Sequence, residues 1–157
     1  MPRTLPILLL VVSLAVAAGA TEREVALDEF DLAEYRGQVV VVDFWASWCP
    51  PCREAMPFLS DMQDKYGDQG LVTVAVNVDQ DPKAPGKMIA RLHDEIIVVR
   101  DPRGTLAQEH GVRGLPTALV LDREGNVVAT HVGFHASEKG PREKELQRLL
   151  ATGGPQG

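Results

Sequence analysis

Residues 39–44 read VVVVDF, an apolar and largely β-branched run interrupted only by Asp43. A continuous run of this kind suits a central strand covered on both faces. A second run occupies 71–78. Between the two, Ala55, Met56, Leu59 and Met62 recur at helical spacing within 50–66, and Gly67 follows as a C-terminal stop. Two strands joined by one helix form a βαβ unit, which requires the strands to run parallel. The second half changes character. A helical stretch over 87–94 leads to a short strand at 96–99. Strands at 117–122 and 127–132 then flank Arg123-Glu124-Gly125-Asn126, a hairpin signature. Gly140-Pro141 opens a last helix with Leu146, Leu149 and Leu150 as its buried stripe, and the tail 151–157 is expected to fray. The pattern predicts an α/β fold: a central mixed sheet flanked by helices.

The N-terminal segment stands apart. Arg3 is the only charged residue before Glu22, and it precedes an apolar stretch over 5–18 that ends in Ala18-Gly19-Ala20. A positive start, a short apolar middle and small residues at −3 and −1 are the anatomy of a secretory signal cleaved after Ala20. That leaves 21–157 as one domain, within the usual size of a single folding unit. The alternative is an uncleaved membrane anchor, although about 20 apolar residues are needed to cross the hydrocarbon layer and this run is shorter. No cysteine follows it to accept a lipid. Either way, the expected location is outside the cytoplasm, and in a diderm cell the periplasm.

Composition narrows the function. Among 157 residues, 45% are hydrophobic and 24% charged, enough for a real core and unlike a disordered chain. Against 16 Lys and Arg stand 22 Asp and Glu, a net charge of −6, so nucleic acid is not an expected partner. The two cysteines, Cys49 and Cys52, lie three apart. Disulfides persist outside the cytoplasm, but a loop this small would constrain the unfolded chain little. Such a pair calls for chemistry rather than stapling.

Its position supplies that chemistry. Trp45-Ala46-Ser47-Trp48-Cys49-Pro50-Pro51-Cys52 sits where the first strand ends and the helix begins. With Cys49 as N-cap, its sulfur faces unsatisfied N–H groups and the positive end of the helix dipole, which favour thiolate. Pro50 fits the first helical position, and Pro51 removes the donor at the second, so only the Cys52 N–H remains within reach. Thiolate stabilisation is therefore weaker than in a strong oxidant, which points to a reductant or mild exchanger. Half a zinc site is the competing use of C-x-x-C, and no second pair or suitably placed histidines complete it. His93, His110, His131 and His135 are read as surface residues.

The strand VVVVDFWASWCPPC, Pro57 five residues past Cys52, the segment Gly111-Val112-Arg113-Gly114-Leu115-Pro116-Thr117 and the hairpin LDREGNVV together resemble the thioredoxin superfamily, and more closely its secreted TlpA/ResA-like thiol-disulfide oxidoreductases. The resemblance implies a thioredoxin-like fold, with 79–101 similar to the helical insertion of the secreted branch. It implies Cys49 as the exposed nucleophile and Cys52 as the buried resolving thiol. Pro116 matches the family's cis-proline, which turns the Leu115 backbone outward as an edge for an extended substrate. Asp43 matches the buried acid beneath the resolving cysteine, and burying it is costly unless it is paired or neutral. Several secreted relatives carry a glutamate three residues past the second cysteine, where this chain has Ala55; Glu54 falls about 100° around the helix, toward solvent.

The reading that follows is an extracytoplasmic enzyme that reduces or exchanges disulfides in client proteins, with a place in cytochrome c maturation implied by the resemblance. Cys49, Cys52 and Asp43 carry the chemistry, and Trp48, Pro50, Pro51, Leu115 and Pro116 meet the substrate. No cofactor is called for beyond the Cys49–Cys52 dithiol, and the resemblance implies a membrane thiol donor of the DsbD/CcdA type. Two other uses of the dithiol stay open: a DsbA-like disulfide oxidant and a copper(I) metallochaperone, copper(I) being soft enough to suit thiolates.

Overall fold

The computed structural model describes residues 24–152, so the signal or anchor assigned to 1–20 and most of the tail lie outside the described residues. Six strands form one sheet: β1 (Glu24–Val25), β2 (Val39–Trp45), β3 (Leu71–Asn77), β4 (Ile97–Arg100), β5 (Thr117–Leu121) and β6 (Val127–Val132). Their spatial order is β1-β4-β3-β2-β5-β6. β2 pairs parallel with β3 through α1 (Pro50–Tyr66), as the βαβ pattern requires, and antiparallel with β5 on its other side. β6 closes the antiparallel hairpin. The mixed sheet is the one expected from the sequence.

All seven residues of β2 are buried because both of its faces are covered. Alternation sorts them. Val39, Val41 and Trp45 join the core beneath α1 and α4 (Lys139–Ala151), with Phe58, Leu59, Leu146 and Leu150. Val40, Val42 and Phe44 join the opposite core, which holds Leu27, Phe30, Leu32 and Leu106. Two long helices therefore cover one face. The other is covered by 3-10 turns at Leu27–Glu29 and Leu32–Tyr35 and by the five-residue helix α3 (Thr105–Glu109).

Several expectations are corrected. The stretch over 87–94 contains only α2 (Gly86–Ile89), so the connection that resembles a helical insertion carries one four-residue helix and turns. Gly67 does cap α1 as expected, in the right-handed region at φ −52°, and a 3-10 turn over Gly67–Gln69 then leads to the left-handed Gly70 at φ 94°. Ala151 belongs to α4 rather than the tail. β1, pairing with β4 at Glu24 and Val25, and α3 were not anticipated, since neither is long enough to display a period.

Candidate active site

β2 delivers the chain into the loop that carries Cys49. Cys49 is the N-cap of α1 with extended φ −91° and ψ 108°, and its sulfur accepts a hydrogen bond from the Cys52 N–H at 3.3 Å. This is the one donor that Pro50 and Pro51 leave available. Cys49 and Cys52 form a disulfide with their Cα atoms 5.3 Å apart. One expectation fails here: Cys49 is not exposed in this state, with only 3% of its surface accessible, while its neighbours Trp48, 67% exposed, and Pro50 are. Cys52 is fully buried, as implied.

A buried carboxylate fixes the loop. Asp79 Oδ2 accepts from the Ser47 N–H at 2.8 Å and from Asn77 Nδ2 at 2.7 Å, while its Oδ1 accepts from Ser47 Oγ at 2.9 Å. Arg53 Nη1 adds a bond to the Ser47 carbonyl at 3.2 Å. Asp79 lies just past β3, beside the end of β2 in this parallel pairing, so it reaches the turn before the helix. Nothing in the local sequence signals this, because the contact spans 32 residues. Asp79→Ala leaves the Ser47 donors and Asn77 without their acceptor, and an expected loss of about 2–4 kcal/mol in urea unfolding checks the anchor.

The structure gathers Trp48, Cys49, Pro50, Pro51 and Leu115 around one open groove of about 560 Å³. The Leu115–Pro116 peptide bond is cis, with Pro116 buried and Leu115 half-buried beside the groove. The rest of the lining was missed by sequence reasoning: Gly104, Ala107 and Gln108 from the start of α3 and its body, with Val112 and Arg113 beyond. Asp101 holds the α3 part of it, accepting from the Thr105 N–H at 2.7 Å and the Ala107 N–H at 3.0 Å. Arg113 is the charged member of the groove lining.

Asp43 lies elsewhere, in a cavity of about 20 Å³ between the sheet and α1, roofed by Ala55, Phe58 and Leu59. The carboxyl is 2% exposed, and desolvation pushes its pKa up to about 8, with the Arg142 guanidinium partly countering. The inward orientation of Asp43 is therefore correct, and Glu54 is exposed as expected. The histidines are less superficial than expected: His93, His110 and His131 are half-buried and only His135 is exposed. His131 is held by Glu145, Nε2 to Oε2 at 2.7 Å.

Comparison with known proteins gives the family. The Redoxin family model matches residues 16–150. A ResA thiol-disulfide oxidoreductase of Geobacillus thermodenitrificans is 31% identical over 129 residues, spanning 79% of this chain and 74% of that protein. Against the ResA of Bacillus thuringiensis, at 27% identity, the chain spans 64% of the relative's length. Among solved structures, a chain described as a DsbE thiol:disulfide interchange protein from Chlorobium tepidum superposes with a TM-score of 0.72 at 40% identity, covering 76% of this chain and 84% of that one. The exposed lipoprotein thioredoxin Etrx1 of Streptococcus pneumoniae gives a TM-score of 0.63 at 30% identity, covering 78% and 94%. With its Cys49–Cys52 disulfide at the helix start and its cis-proline beside the same groove, the chain belongs to the redoxin family of the thioredoxin superfamily, as a TlpA/ResA-like member.

Proposed function

We propose that the protein is an extracytoplasmic thiol:disulfide oxidoreductase that reduces or exchanges disulfides in client proteins, apocytochromes c among them, and is recharged by a membrane thiol carrier of the DsbD/CcdA type. The observation that carries this reading is the Cys49–Cys52 disulfide at the N-terminus of α1, beside a groove that also holds Trp48 and Leu115. Relatives described as ResA and DsbE support it. The apolar segment over 5–18 and the relative described as an exposed lipoprotein support the location. Among the described residues no helix is long and apolar enough to cross a membrane.

In the reduced protein, Cys49 thiolate attacks a client disulfide and forms a mixed disulfide. In molecules whose Asp43 is ionised, a fraction that grows as pH rises toward about 8, Cys52 then gives its proton to Asp43 and attacks Cys49, which releases the reduced client and restores the Cys49–Cys52 bond. Because Pro50 and Pro51 leave one N–H on the Cys49 sulfur, the thiolate is held modestly and the reduced form is not strongly favoured. That is the poise of a reductant or exchanger rather than an oxidant. Trp48 and the half-buried Leu115 supply the apolar contact for an extended client segment.

Cys52→Ala tests the client class. The variant is expected to accumulate a mixed disulfide on Cys49 that reducing agent releases, and its captured proteins are expected to contain cysteine pairs. A reactive Cys49 that captures no protein from the extracytoplasmic fraction overturns the protein-disulfide reading. Equilibration with glutathione fixes direction: a reduction potential near that of a strong oxidant overturns the reductive assignment.

A further inference from the structure

Asp43 Oδ2, Thr73 Oγ1 and Arg142 Nε are buried and have no protein hydrogen-bond partner. All three residues line the same cavity of about 20 Å³. A space of roughly 10–15 Å³ on this measure admits one water, which needs two to four polar partners. Three are provided here. The Nη2 of Arg142 is committed, donating to the Gly133 carbonyl at 2.8 Å and to Glu138 Oε2 at 3.1 Å, and the guanidinium lies 5.2 Å from the Phe134 ring centroid.

The sheet register extends this site toward the surface. Asp43 on β2 is directly opposite Ala118 on β5, and Ala118 is directly opposite His131 on β6. The three occupy one row, with Asp43 and His131 about 10 Å apart across two strand spacings. Alanine in the middle leaves that row open. His131 Nε2 meets Glu145 Oε2 at 2.7 Å, and the two side chains are 27% and 25% exposed. His131, Arg142 and Glu145 border the inner cavity and also an outer cleft of about 250 Å³, so they form the partition between Asp43 and solvent.

We propose that this cavity is a proton outlet: one water held by Asp43, Thr73 and Arg142 carries the proton taken from Cys52 across the Ala118 gap to His131, and the His131–Glu145 pair passes it to solvent. This rests on the reading of Asp43 as the acceptor for Cys52. In the resolving step the Cys52 S–H bond breaks and the ionised Asp43 carboxylate, the minor form below about pH 8, gains the proton. The Cys52 sulfur bonds to Cys49, and the Cys49–client bond breaks. The client sulfur leaves as thiolate and takes its proton from bulk water, while the proton on Asp43 leaves through the cavity, so no net proton is consumed. The titratable and charged groups around the cavity are His131 from β6 and Arg142 and Glu145 from α4; α1 presents Ala55, Phe58 and Leu59, β3 the neutral Thr73 and β5 the small Ala118.

The test follows the reduced full-length protein reacting with a nitrobenzoate disulfide, which releases one coloured thiolate when Cys49 attacks and a second when Cys52 displaces it. His131→Ala is expected to slow the second release about tenfold, a modest share of the usual worth of a positioned proton carrier. Free imidazole in the buffer is expected to restore the rate in proportion to its neutral fraction, which no structural defect would allow. Ala118→Val fills the gap and is expected to slow the same step without an imidazole response. A His131→Ala rate equal to wild type, or a slow rate indifferent to imidazole, overturns the outlet. Asp43→Asn separates this from its premise: if it slows the second release while His131→Ala does not, only the outlet falls, and if Asp43→Asn is as fast as wild type at every pH, the acceptor role falls with it.

Discussion

Replacing Cys49 by alanine is expected to reduce turnover of a client disulfide by about 10⁴-fold or more, the scale on which loss of a covalent nucleophile is read in other enzymes. The residue has no local substitute. Cys52 is fully buried, whereas Cys49 lies at the groove and caps α1 with its sulfur on the Cys52 N–H. The measurement is steady-state reduction of a disulfide-bonded protein under an excess of chemical reductant, with the uncatalysed rate subtracted. Folding is not expected to suffer equally, because the loop is still held by Asp79 on Ser47 and by Arg53 on the Ser47 carbonyl. Turnover by Cys49→Ala within tenfold of wild type would place the nucleophile elsewhere.

The second large effect concerns stability. Asp43 binds its proton more tightly in the folded chain than in the unfolded one, its pKa raised from 3.8 to about 8 by burial, against a smaller opposing pull from Arg142. The folded state therefore holds an extra proton throughout that window, and stability falls as pH rises through it. Below the unfolded value both states are protonated and the effect is absent; above about 8 the loss is complete. Asp43→Asn stays neutral at every pH. Its stability relative to wild type is expected to rise by several kcal/mol between about pH 4 and about pH 8, at roughly 1.4 kcal/mol per unit as an upper slope. Urea unfolding of the oxidised proteins at a series of pH values measures this, and parallel stability profiles for the two would sink it.

How much of this was legible in the sequence follows from how local each signal is. β2 and α1 could be read because their patterns are continuous: seven buried residues in the strand, then Ala55, Met56, Leu59 and Met62 on one helical face. The Cys49 cap was legible because two prolines and the helix start lie within three residues of it. What the sequence concealed has no periodic apolar pattern to announce it. Asp79 acts on a loop 32 positions away, and α3 owes its form to Asp101 bonding Thr105 and Ala107 rather than to any apolar period. The burial of Cys49 in the closed disulfide was hidden as well, since a position at the helix start does not say what packs around the cap residue. The row Asp43, Ala118, His131 emerges only once strand register is known.

The unequal covering of the two sheet faces sets the proposed resolving chemistry of Cys52 and Asp43 on a different support from one side of the proposed docking groove. Cys52 and Asp43 are backed by seventeen- and thirteen-residue helices, while that side of the groove rests on α3, five residues with none buried. A segment with so little buried surface, held by Asp101 and by the half-buried Leu106, is expected to open at lower free energy than the two long helices. Exchanging that short stretch for another can thus retune which polypeptides dock while leaving the sulfur chemistry and its proton traffic as they are.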